Sequence, residues 1–177
     1  MYKRQVHIYP SRDNSDYQIL ANTVRNIVYH PSLAPEQLFE EITQYDFGWA
    51  GFNDTLNKVH LDTVLPNKLF EYIACGLPVI SFAHEALKSF LVTYGVGLVI
   101  DSVSGLADRL QAPEAVVVRK NVQQLRWNFT VEANLELIVN IYRQLNGATT
   151  PLATNRHYIE LEPIISRAVR PSRQISS

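Results

Sequence analysis

Cysteine is almost absent, Cys75 being the only one in 177 residues. An intramolecular disulfide framework and a cysteine-built zinc site are both excluded, and a reducing compartment fits this usage. A surplus of one charge is missing too. Sixteen Lys and Arg stand against seventeen Asp and Glu, for a formal net charge of -1. That balance argues against nucleic-acid binding through bulk charge, but not against a focused anion site. Nor is there a long apolar run. The richest window, Leu87 to Ile100, is broken by Lys88, Ser89, Thr93, Gly95 and Gly97, short of the roughly 18 residues that span a bilayer. The opening MYKRQVHIYP carries basic residues with no apolar run behind them, unlike a signal peptide. A soluble, cytoplasmic domain is the expectation.

What is present supports a packed core, with 46% hydrophobic and 19% charged residues. Short β-prone runs alternate with helical patterns along the chain. Val6-Tyr9, Asn26-His30, Asp46-Gly51, Pro78-Phe82 and Gly97-Asp101 read as strands, several of them continuous apolar runs of the kind buried on both faces. Between them, Tyr17-Ala21 reads as one or two helical turns. A helix opens at Pro35, with Leu38, Phe39, Ile42 and Tyr45 on one face. Further helices are expected over Asn67-Cys75 and Glu85-Tyr94, ended by Gly76 and Gly95. Val103-Leu110, Asn121-Trp127 and Val131-Leu145 follow, the last with Leu135, Ile138, Tyr142 and Leu145 on one face. The stretch Phe52-Pro66 reads as a polar loop, long enough to suggest a role in function. The pattern predicts an α/β fold, a parallel sheet with helices on both faces.

The informative segment is LPNKLFEYIACGLPVI, Leu65 to Ile80. Asn67 is a suitable N-cap, which puts Lys68 in the first helical turn. A cation there opposes the helix dipole. It is either a solvated side chain that tolerates a small penalty or part of an anion site at the free N–H groups. Glu71 shares a face with Lys68. It could pair with that lysine, or it could accept hydrogen bonds from vicinal hydroxyls one turn below a bound diphosphate. Cys75, between Ala74 and Gly76, reads as tight helix-to-sheet packing, and Tyr72 and Trp49 as core or near-core aromatics. His7, His30, His84 and His157 lack ligand spacing, so no metal site is expected.

These residues carry a resemblance. The run from Pro66 to Ile80 resembles the donor-site helix of GT-B type glycosyltransferases that use nucleotide sugars, and looser similarity extends over Val6 to Leu145. The resemblance implies a nucleotide-sugar-binding Rossmann-like domain, the second half of a two-domain enzyme, spanning residues 6-146. Residue Glu71 would bind the ribose hydroxyls. Lys68, with the backbone at Pro66 and Asn67, would contact the diphosphate, and the turn His30-Pro31-Ser32 would lie near the base. In the loop, Asp54, Asn57 and His60 could touch donor or acceptor. Thr63 stands where many relatives have a second glutamate, which leaves sugar-side contacts unassigned.

Relatives also have an earlier strand with a glycine-rich turn and a whole N-terminal acceptor domain before the position of Val6. The expectation is therefore an N-terminally truncated chain with a non-native leader over 1-5 and a polar, partly disordered tail over 147-177. Such a chain would bind donor without turning it over, because the general base belongs to the missing domain. The implied partners are a nucleotide sugar and an acceptor sugar or lipid-linked glycan, with peripheral membrane association of the full enzyme and a role in cell-envelope polysaccharide or glycoconjugate synthesis. No cofactor, metal or nucleic acid is implied. A nucleotide-sugar epimerase domain and a non-catalytic α/β binding module are the alternatives.

Overall fold

A computed structural model describes residues 4–52 and 57–145. The leader's first three residues, Asp54 and the expected tail lie outside the described residues. In chain order the elements are β1 (Val6–Ile8), α1 (Ser15–Thr23), β2 (Ile27–Tyr29), α2 (Pro35–Ile42) and β3 (Gly48–Trp49). Then come α3 (Lys58–Leu61), α4 (Asn67–Ala74), β4 (Val79–Phe82), α5 (Glu85–Tyr94) and β5 (Gly97–Ile100). The last are α6 (Leu106–Arg109), α7 (Pro113–Leu125), a 3-10 turn (Arg126–Phe129) and α8 (Val131–Leu145).

Among the described residues every strand pairing is parallel, as the βαβ alternation requires. Val6 lies opposite Ile27 in one sheet. In the other, Gly48 lies opposite Val79, which in turn faces Gly97. The fold is thus α/β and Rossmann-like, but its strands form two sheets, β1-β2 and β3-β4-β5, where one was expected. The reason lies in how β1 is tied down. Beyond its ladder with β2, this strand and the Tyr9 that follows it meet α2 and the turn after it through side chains, Tyr9 bonding Glu41 and Tyr45 and His7 bonding Tyr45.

The core belongs to the second sheet. Leu69 and Ile73, four residues apart on one face of α4, are buried against Val79, Leu87, Phe90, Leu91, Val96, Val122 and Ala50. Among the described residues from 4 to 41, none is buried. Helix α4 stops in a Schellman turn. Gly76 takes φ +84°, its N–H bonds the Ile73 carbonyl, and the Leu77 N–H reaches back to Tyr72.

Several expectations need correction. Asn67 is the first helical residue rather than the cap. Pro66 caps α4 in extended backbone (φ -73°, ψ 149°), and its carbonyl already accepts the Leu69 N–H, so no side-chain cap is used. The long loop contains α3, one helical turn. Helix α7 begins at Pro113, eight residues before the expected start, because proline at the first helical position and Glu114 in the first turn favour initiation there. Of Val103-Leu110 only α6 is helical, opened by Gly105 at φ +75°. Tyr45 lies past the end of α2. Trp49 is exposed, since β3 is a two-residue edge strand, and the apolar stripe of α8 at Leu135, Ile138, Tyr142 and Leu145 is also exposed.

Candidate functional site

The chain order β3, α4, β4 with parallel strands brings the amino end of α4 to the carboxyl edge of the sheet. That edge is where ligands bind in open α/β sheets. A cavity of about 330 Å³ lies there. Phe52 follows the carboxyl end of β3 and His84 that of β4, and both line it. Pro66 and Asn67 contribute the start of α4, and His60 and Leu61 the end of α3, with Val64, Leu65 and Leu87 making the wall largely apolar.

The structure therefore brings together three of the expected residues, Pro66, Asn67 and His60. Lys68 is exposed in the first turn of α4, and Glu71 is half-buried one turn on; neither lines the cavity. Among the described residues no ion pair joins them; the pairs formed are Lys58–Asp62, Arg109–Glu114 and Arg119–Asp46. The intrahelical pairing of Lys68 with Glu71 is thus not formed. Asn57 caps α3 without a side-chain bond and is exposed.

His30 and Pro31 sit apart from the cavity, after the carboxyl end of β2. The His30 ring stacks on Tyr9, centroids 4.2 Å apart and planes at 7°, and its Nε2 lies 2.9 Å from His7 Nδ1. His7 Nδ1 is also 3.1 Å from the Tyr45 hydroxyl, which is 2.6 Å from that of Tyr9, and Tyr9 donates to Glu41. Burial and the bonds to Tyr45 and Glu41 push the Tyr9 phenol far above its ordinary value. Burial, with the neighbouring His30, lowers His7.

Sequence reasoning missed Asp62 and His84. Asp62 accepts from Lys58 Nζ at 2.6 Å, and its enclosed Oδ1 faces His84 Nδ1 at 3.6 Å. The bond from the Lys58 ammonium holds the Asp62 carboxyl below the usual range, against an opposing effect of burial. The His84 imidazole is buried. Its position two residues past a predicted strand was readable; its burial depends on how the 57–62 segment folds back and was not. Cys75 is half-buried, its Sγ 3.5 Å from the Phe39 carbonyl, and burial pushes the thiol up, away from nucleophilic reactivity. Among the described residues no group of three or more His, Cys, Asp or Glu side chains could hold a metal ion. No helix among them is long and apolar enough to cross a membrane.

A parallel α/β architecture with a cavity at the strand ends defines a Rossmann-like domain. Residues 2–132 match the family described as Glucosyltransferase 3-like, C-terminal domain, and the chain belongs to that family. It is accordingly a C-terminal domain of glycosyltransferase type. No curated protein matches the sequence.

Proposed function

We propose that this domain binds the nucleotide-diphosphate sugar donor of a hexosyl transfer of the GT-B type, at the amino end of α4. The observation that carries this is the cavity built against Pro66 and Asn67 at the carboxyl edge of the sheet. The first N–H groups of an α-helix have no intrahelical partner and attract anions. In transfer from a nucleotide sugar, negative charge grows on the departing diphosphate. Fixed N–H groups and the Lys68 ammonium would stabilise that charge without a metal. Glu71, one turn further, would accept hydrogen bonds from the ribose hydroxyls, and His30 with Pro31 would lie towards the base.

The acceptor is a sugar or lipid-linked glycan hydroxyl. The base that deprotonates it would come from a separate N-terminal acceptor domain. Cytoplasmic placement with peripheral membrane contact, in cell-envelope polysaccharide or glycoconjugate synthesis, fits such chemistry.

Calorimetric titration with nucleoside diphosphates tests the proposal. Lys68→Ala is expected to weaken binding by about 1–3 kcal/mol, the worth of a charged hydrogen bond. Unchanged affinity removes Lys68 from the site, and no binding by the wild type removes the site.

A further inference from the structure

The buried imidazole at the base of the cavity has more contacts than a space-filling residue needs. His84 caps α5, and its backbone carbonyl accepts the Lys88 N–H. Its side chain is only 4% exposed. Nε2 lies 3.4 Å from the Phe52 carbonyl oxygen, and Nδ1 faces Asp62 Oδ1 at 3.6 Å. Phe52 and Asp62 bracket the chain that runs from the end of β3 through α3. A single ring thus meets both ends of that stretch, which carries His60 and Leu61 into the cavity wall. The Asp62 end has a second fastening, since the Asp62 carbonyl accepts the Ala86 N–H at 3.0 Å in the first turn of α5.

We infer that His84 is a positioning residue for the donor site, resting on the function proposed above: it holds the α3 wall at the amino end of α4 by bridging Phe52 and Asp62. Histidine suits the task because its N–H meets an acceptor from either ring nitrogen, the Phe52 carbonyl beside Nε2 or the Asp62 carboxylate beside Nδ1. Small misplacements of a site's wall are costly, since displacement of about 1 Å is worth up to about 100-fold in a well-organised site.

The test compares His84→Ala with His84→Gln and His84→Asn. The glutamine amide nitrogen stands where Nε2 does and restores the arm to Phe52. The asparagine nitrogen stands where Nδ1 does and restores the arm to Asp62. The probe is a set of nucleoside-diphosphate glucoses differing in base, titrated calorimetrically into each folded variant. Amide exchange at Ala86 is followed in the free protein.

His84→Ala is expected to lose about tenfold in affinity and to speed exchange at Ala86, with Gln and Asn each recovering part of both. If the alanine variant does not fold, the Gln and Asn variants carry the test, each expected between wild type and a tenfold loss. Wild-type affinity in His84→Ala, or in both amide variants with exchange unchanged, overturns the inference while leaving the donor site standing. A wild type that binds none of the probes overturns the donor-site proposal itself, and this inference with it.

Discussion

Helix α4 lies close to the sheet because a strand residue beneath it has no side chain. At Gly48 in β3, a Cβ would sit 2.2 Å from Tyr72 Cγ and 2.4 and 2.6 Å from the two Cδ atoms. Ordinary carbon contacts begin near 3.5 Å, so in Gly48→Ala the ring must retreat by about 1.3 Å. Tyr72 is one turn beyond Lys68 on α4 and packs against the core, so the ring cannot retreat without moving the helix. Overpacking of this kind costs about 1–3 kcal/mol, or a fall in Tm of about 2–12 °C for a chain of this size. Urea and thermal denaturation of wild type, Gly48→Ala, Tyr72→Ala and the double variant isolate the cause. With the ring removed, the alanine is expected to cost under about 0.5 kcal/mol, giving a coupling energy of at least about 1 kcal/mol. An equal cost in both backgrounds refutes the explanation.

Two further outcomes follow from described geometry. Gly95 ends α5 at φ +61°, and a Cβ there would come within 2.6 Å of Asn121 Nδ2, which donates to the Gly95 carbonyl. Gly95→Ala should cost about 1–2 kcal/mol for the left-handed backbone plus about 1 kcal/mol for the displaced bond, read by urea midpoint; a neutral effect contradicts it. His7, lowered by burial and by His30 from its ordinary 6.5, favours the neutral form when folded. Stability from this group is therefore complete above pH 6.5 and lost as pH falls through the lowered folded value. His7→Gln should flatten that part of the stability profile between pH 7 and 5; an unchanged slope refutes the assignment.

Much of the fold was legible because local chemistry was unambiguous. Helix α5 and its Gly95 stop, α8, and the Gly76 stop of α4 are all encoded by residues adjacent to the feature they make. The five strands were legible as apolar runs, but not their division into two sheets. Strand partners depend on tertiary contact, here the side chains of Tyr9, Tyr45 and Glu41. The start of α7 was obscured because Val116 and Val117, both exposed, blur its apolar face. At the site, the segment beginning at Pro66 announced itself through its Gly76 and Pro78 stop, whereas the expected Asn67 cap is not used. His84 and Asp62 did not, since they stand 22 residues apart and meet only because the 57–62 segment returns to the amino end of α5.

The absence of any buried residue before Ile42 among the described residues gives the molecule two tiers of cohesion. The β3-β4-β5 half is sealed by apolar packing and can open only with the entire fold. The β1-α1-β2 half is fastened by a strip of phenol, imidazole and carboxylate contacts, each worth roughly 1 kcal/mol. That half can therefore detach as a subglobal excursion while the rest keeps its shape, so its peptide groups meet solvent and proteases first.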